Sequence, residues 1–251
     1  MSYPQLQMLI AGEWTNGTSG VTENVICPAD GTVLGELPHA SKEDLDDALN
    51  SSFEGSNKWR SETPLNRQSI LEKAAKILER EFEKNSENLT REMGKPLVEA
   101  KIEMQVAIDL LRWYGEEGKR VYGRIIPSRI PNMEHEARKV PVGPVLAFVA
   151  WNFPATNVMR KVAGALAAGC SITIKPSEET PATAIAIGKA LMEAGLPAGV
   201  LNIVFGVPSE VSEHLLASPI PRKLSFTGSV PVGIHLQKLA AQNPVSYTHL
   251  T

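Results

Sequence analysis

"VLAFVAWNFPATNVMRK", residues 145–161, decides how the chain is read. An apolar run ends in an amide, two aromatics and a proline, and a helical pattern follows from near Ala155. That is the profile of a strand buried on both faces that gives way, through a tight corner, to a helix. The unit recurs: "SITIKP" precedes a helical pattern from Pro181, "VLNIVFG" one from Ser209, and "KLSFTG" one from Val230. Strands alternating with amphipathic helices define βαβ units, hence an α/β fold with a Rossmann-like, doubly wound parallel sheet. Right-handed crossovers place every strand-to-helix loop on one edge, where ligands of open α/β sheets bind. Four loops, "WNFP", "KPSE", "FGVPSE" and "FTGS", are therefore expected to meet in one crevice shared by Trp151, Lys175 and Ser229.

Upstream, residues 7–37 contain short β-type pieces separated by the turn signals "NGTSG" and "ADGT", an N-terminal hairpin region. Ser41 is a good N-cap, and Leu45, Ala48, Leu49 and Phe53 follow at helical spacing. Pro64 opens a second helix that fades before Gly94, and Pro96 precedes a third from about Val98 to Lys119. Three amphipathic helices are expected before the sheet. The resulting division is hairpin and helices over 1–123, an arm or flap over 124–143 whose prolines suit edge strands, and the βαβ region over 144–243. The final stretch, 244–251, matches neither a helix nor a core strand and is expected to be a non-native tail.

Composition narrows the class. Of 251 residues, 43% are hydrophobic and 21% charged, which suits an ordinary globular protein with a sizeable core. A net charge of −3 and no Lys/Arg run give no electrostatic footprint for nucleic acid or anionic membrane. The longest apolar stretch, Val142 to Trp151, is broken by Gly143 and Pro144 and is short of the ~20 residues a bilayer needs. No secretory signal opens the chain, so a cytoplasmic protein is expected. Cys27 and Cys170 lack metal-ligand spacing and read as reduced, buried thiols; the five histidines are scattered and no metal site is expected.

Three loops carry residue types with chemical use. Asn152, just beyond a buried strand, could donate its amide to a developing negative charge, as an oxyanion hole requires; an Asn before an aromatic and a Pro is also a common turn former. Lys175 and Glu178 at a strand's carboxyl edge could hydrogen-bond the hydroxyls of a ribose; an exposed loop with a helix-start carboxylate gives the same pattern. Gly228, Ser229 and Gly233 offer free backbone N–H groups at a helix start, where a phosphate is favoured, and Gly206 is comparable. A glycine turn also serves wherever φ must be positive.

Taken together, "WNFP", "RKVAGALAAGC", "IKPSEETP", "AGLPAGVLNIVFG" and "KLSFTGSVPVG", in this order and at these separations, resemble the aldehyde dehydrogenase superfamily over residues 7–242. "VYGRIIP" and "TNVMRK" look most like the branch acting on acid semialdehydes, such as succinate semialdehyde or 2-oxoglutarate semialdehyde. The resemblance implies that Asn152 donates to the oxyanion of a thiohemiacetal, and that Trp151, Lys175, Ser177, Glu178, Gly206, Gly228 and Ser229 line the NAD or NADP cleft along with Asn152. A carboxylate at Glu178 would repel a 2′-phosphate, so NAD is favoured, although Lys175 and Ser177 could accept one. Arg160 lies about one and a half turns into the helix after Pro154, leaning back toward Asn152, and could hold a substrate carboxylate bidentately with Asn157 and Phe153 nearby. The family's mechanism also needs a nucleophilic cysteine and a general-base glutamate, and neither Cys27 nor Cys170 suits that role. The resemblance thus implies the N-terminal half of a dehydrogenase, inactive alone and oligomeric when full length through the 124–143 arm. Two alternatives stay open: a non-catalytic dinucleotide-binding or oligomerisation module, and a dehydrogenase for neutral or phosphorylated aldehydes.

Overall fold

The structure, a computed structural model, describes residues 3–243 and 245–250. Pro244 and Thr251, both within the segment expected to be a non-native tail, lie outside the described residues. The chain opens with two hairpins, β1 (Met8–Ile10) with β2 (Glu13–Thr15), and β3 (Thr22–Ile26) with β4 (Val33–Pro38). Four helices follow: α1 (Lys42–Trp59), α2 (Pro64–Arg80), α3 (Phe82–Met93) and α4 (Leu97–Gly118). An exposed antiparallel pair, β5 (Arg124–Pro127) and β6 (Glu134–Ala137), leads to the alternating region. There β7 (Val145–Phe148), α5 (Pro154–Ala167), β8 (Ile172–Lys175), α6 (Pro181–Glu193), β9 (Leu201–Ile203), α7 (Pro208–Ala217), β10 (Lys223–Thr227), α8 (Val230–Ala240) and β11 (Ser246–Leu250) succeed one another.

The main sheet runs β11-β10-β7-β8-β9-β1-β2. Its five strands from β11 to β9 pair in parallel, and β1 pairs antiparallel to β9. The chain winds outward from β7 through β8 to β9, then returns to β10 on the other side, so direction switches between β7 and β10. Helices α5 and α6 pack together beneath the layer of α2, α3 and α4, while α1, α7 and α8 form the opposite side. Strands β7, β8 and β9 are buried throughout, which is why they read as unbroken apolar runs.

Two expectations need correction, and the first hairpin takes a place in the fold that its residues left open. The second helix does not run unbroken to Gly94: at Glu81 (φ −96°, ψ 12°) one residue leaves the helical conformation and α3 sets off in a new direction. No glycine or proline marks that joint, so hydrophobic periodicity runs through it unseen. The first hairpin joins the main sheet as its far edge, with Leu9 opposite Ile203. Residues 246–250, expected to lack strand character, pair with β10 in register from Lys223–Ser246 to Thr227–Leu250. The Tyr247 hydroxyl donates to the Gly233 carbonyl (3.0 Å) and Lys223 Nζ to Thr248 Oγ1 (2.8 Å). An edge strand shows one half-exposed row, which a search for apolar runs overlooks. The Ser41 cap holds, as a full capping box with Asp44.

Helices α5 and α6 share a device that no local signal announces. Both begin Pro-Ala-Thr, and neither has a side-chain cap of its own. Each instead receives a buried carboxylate from the helical layer. Glu92, at the end of α3, accepts from the N–H groups of Ala182 (2.9 Å) and Thr183 (3.1 Å), from the Thr183 hydroxyl (2.5 Å) and from the Tyr3 hydroxyl (2.7 Å). Glu103, on α4, does the same for α5. Burial outweighs these donors at Glu92 and pushes its carboxyl up to about 7 from 4.5. The folded protein therefore binds a proton more tightly than the unfolded one, so this contribution to stability is complete below about pH 4.5 and is lost as pH rises through about 7. Urea titrations of wild type should show that decline, of order 3 kcal/mol at most. Glu92→Gln should lower stability at pH 5 by about 1–2 kcal/mol and flatten the profile from pH 5 to 7.

Candidate active site

Two cavities flank the corner after β7, and they divide the residues expected to share one. The first, about 440 Å³, lies at the switch between β7 and β10 and is lined by Phe148, Val149, Lys175, Ser177, Glu178, Phe226, His235 and Leu236, among others. Register explains its floor. Phe226 is opposite Phe148, and Phe148 opposite Lys175, so the three strands end in one row at the carboxyl edge. Lys175, buried at the last position of β8, forms an ion pair with Glu178 and also donates to its neighbour's carbonyl, Pro176 O (3.3 Å). The same Glu178 oxygen accepts from the Gly206 N–H (3.3 Å), tying the β8–α6 turn to the β9–α7 turn. Gly206, at φ +144°, takes a conformation that suits glycine, and a Cβ there would press on Val211 at 3.1 Å. Ser177 donates to Glu179.

A dinucleotide fits this cleft on its own chemistry. Its volume falls in the range of small-molecule sites, apolar and aromatic walls suit a flat ring, and Lys175 at the end of β8 stands with the carboxylates Glu178 and Glu179 just beyond it. The Glu178 Oε2 atom makes no hydrogen bond with any described residue, which leaves it able to accept one.

The second cavity, about 580 Å³, is lined by Met93, Lys95, Glu99, Ile102, Glu103, Val106, Trp151, Asn152, Phe153, Thr156, Asn157 and Arg160. It lies between α4 and the start of α5. Trp151 is therefore placed beside Asn152, Phe153, Asn157 and Arg160 and away from Lys175, because the chain turns over the sheet rim at Val149–Phe153: Val149 lines the first cavity, Trp151 the second. Gly228 and Ser229 line neither. Gly228 lets the Phe226 ring lie against its own turn, since a Cβ would meet that ring at 2.4 Å, and its carbonyl is 3.1 Å from His249 Nε2. Ser229 is exposed at the start of α8. The expectation of one crevice shared by Trp151, Lys175 and Ser229 is thus not met. The β7–α5 corner belongs to both cavities, and the β10–α8 turn stands apart from both.

At the corner, Asn152 is exposed and its Oδ1 accepts from Asn157 Nδ2 (3.4 Å), which turns its own NH2 outward to the cavity. Arg160 is exposed on the wall and makes no hydrogen bond or ion pair with the described residues. Sequence reasoning missed the basement of this site. Glu103 Oε1 accepts from the N–H groups of Ala155 (2.8 Å) and Thr156 (3.1 Å), and Glu103 Oε2 is bonded to Lys95. Lys95 Nζ in turn donates to the Asn152 carbonyl (3.4 Å) and lies 4.4 Å above the Phe153 ring. Gly94, left-handed at φ +83°, ends α3 and aims Lys95 inward; a Cβ would strike Pro28 at 2.8 Å. "EMGKP" held the signal, but a glycine-terminated helix followed by lysine says nothing of a partner eight residues away on the next helix.

Neither thiol is placed for attack: Cys27 and Cys170 are buried and remote from both linings. Among the described residues no group of three His, Cys, Asp or Glu side chains could hold a metal ion, and no helix is long and apolar enough to cross a membrane.

A dinucleotide cleft at a topological switch point, adjoining a pocket with a presented amide, marks the nicotinamide-dependent dehydrogenases that act at a carbonyl carbon. Residues 14–250 match the aldehyde dehydrogenase family, and the chain belongs to it. Relatives include the 4-(hydroxymethyl)benzenesulfonate dehydrogenase of Comamonas testosteroni, 47% identical over 237 residues, covering 94% of this chain and 50% of the relative. The NADP-dependent succinate-semialdehyde dehydrogenase of Escherichia coli is 37% identical, over 94% of this chain and 49% of its own length. The crystal structure of succinate-semialdehyde dehydrogenase from Burkholderia pseudomallei superposes with a TM-score of 0.95 at 38% identity, over 97% of this chain and 51% of that one. The chain spans about half the length of the relatives it matches. Structures of the family hold NAD or NADP.

Removing the Glu103 carboxylate leaves the Lys95 charge buried without a partner. Glu103→Ala should cost about 3–5 kcal/mol in denaturant unfolding, far more than loss of an exposed pair such as Arg138–Glu136.

Proposed function

We propose that this chain is the N-terminal half of an NAD-preferring dehydrogenase that oxidises an anionic aldehyde, in particular an acid semialdehyde such as succinate semialdehyde, to the carboxylate. The observation that carries the reading is Arg160, a guanidinium with no ion-pair partner among the described residues, on the wall of the cavity that Asn152 also lines. A guanidinium takes a carboxylate in two parallel hydrogen bonds, and binding the far end of a short substrate aligns its carbonyl at the other. Asn157, buried one turn before Arg160, steadies the Asn152 amide, and Phe153 and Trp151 supply apolar wall. As the carbonyl oxygen gains negative charge, Asn152 Nδ2 donates to it, a contribution of about 3–4 kcal/mol in such sites. The bound dinucleotide supplies the hydride acceptor. Lys175 and Glu178 would hold its ribose, with Ser177 on the same lining and the Gly206 N–H bonded to Glu178 beside it. The Glu178 carboxylate favours NAD over a cofactor bearing a 2′-phosphate.

Full-length members of this kind also need a thiolate nucleophile and a general base, which the 251 residues do not supply. The exposed β5–β6 hairpin, with Ile125 and Ile126 open, is marginal alone and suits pairing with another copy. A second reading has one observation in its favour: the 47% identical relative is named for a benzenesulfonate, and Trp151 and Phe153 flank the pocket as an aromatic ring would require. Arg160 would then hold a sulfonate.

Purified as the 251-residue chain, the protein should form no NADH from succinate semialdehyde; turnover that disappears in Asn152→Ala would refute this. In the full-length enzyme, Arg160→Ala should raise KM for succinate semialdehyde about 10- to 100-fold while leaving KM for a neutral aldehyde of equal length nearly unchanged. Equal effects on both would remove the anion-binding role, and the same panel run with a sulfonated benzaldehyde separates the two substrate classes.

A further inference from the structure

We propose that the buried Lys95–Glu103 ion pair is a positioning device that sets the Asn152 amide for the reaction. The inference rests on the reading of Asn152 as oxyanion donor. Asn152 is exposed, in an irregular turn, and a solvent-facing amide free to rotate would waste the preorganisation that an oxyanion donor depends on. Two contacts restrain it from opposite sides. Asn157 Nδ2 engages its side-chain oxygen, and Lys95 Nζ its main-chain carbonyl, each at 3.4 Å. Lys95 is itself fixed, being only 7% exposed, bonded to Glu103 and seated on the Phe153 ring. Glu103, 3% exposed, anchors the assembly to the first two free N–H groups of α5.

The twin cap at α6 argues that the lysine serves more than helix capping. Glu92 performs the same capping with the hydroxyls of Tyr3 and Thr183 as its other partners, and among the described residues no ion pair joins it to a cation. A carboxylate under a Pro-Ala-Thr helix start therefore does not require an ammonium. Burying one is costly, and it occurs at the helix whose preceding turn bears Asn152. From there the ammonium reaches the two residues, Asn152 and Phe153, that form the cavity's corner.

A double-mutant cycle in the full-length enzyme tests this, with kcat and the KM of NAD measured on succinate semialdehyde. Asn152→Ala should lower kcat by about 100- to 1,000-fold. Lys95→Met should lower it by roughly 30- to 100-fold while the KM of NAD moves less than about twofold. The double variant should be no slower than Asn152→Ala within about threefold, because a residue acting through another has nothing left to act on. Losses that multiply would overturn the proposal. If Asn152→Ala leaves kcat unchanged, the reading of Asn152 falls first and takes this inference with it. Lys95→Arg guards against misfolding: it keeps the charge and the Glu103 pair but not the point-like reach to the Asn152 carbonyl. It should keep the thermal midpoint within about 2 °C and still lose kcat about 10-fold; wild-type kcat in this variant would sink the idea.

Discussion

The N-terminus of α5 is the constraint on which the rest of the site depends. A helix start exposes N–H groups that its own turn cannot satisfy and carries partial positive charge. Here Pro154 removes one donor, Phe153 offers no cap, and the helix is buried against α4 and α6. Left unpaired, those groups would oppose the burial that the fold requires. Glu103 resolves the conflict from another helix, so the start of α5, the corner before it and the carboxyl end of β7 are held at one relative position.

That arrangement couples two layers that would otherwise be independent. The helical layer of α2, α3 and α4 does not enter the main sheet, yet it delivers Glu92 to α6, and Glu103 with Lys95 to α5. Each carboxylate lies on the side of the sheet where the crossovers from β7 to β8 and from β8 to β9 run. Both crossovers lead from strand ends that bear functional groups, Asn152 after β7 and Lys175 with Glu178 after β8. The N-terminal helices thus act as the frame against which the cofactor and substrate loops are registered, and the two cavities are separated by one turn of chain because that turn is pinned at its base.

Charge is used differently in the two cavities. In the dinucleotide cleft the cation and the carboxylate, Lys175 and Glu178, are neighbours in sequence that neutralise each other and leave one carboxylate oxygen for a hydroxyl. In the second cavity the buried cation is neutralised from below by Glu103, whereas Arg160 on the wall has no ion-pair partner among the described residues.

Strand and helix order from β7 to α8 was legible in the residues because buried parallel strands are unbroken apolar runs and their helices start at prolines. Asn152, Lys175, Glu178 and Arg160 were legible too, each at a strand end or a fixed helical offset from one. Other features required the folded chain. The break at Glu81 and the edge strand β11 have no compositional mark, and the split into two cavities depends on which way a five-residue turn rolls over the sheet rim. The Lys95–Glu103 pair meets the α5 start across more than fifty residues of sequence. A sequence records periodicity and local chemistry, which determine elements; partners distant along the chain are chosen by how helices pack, and only tertiary structure brings an ammonium, a carboxylate and an amide to one point.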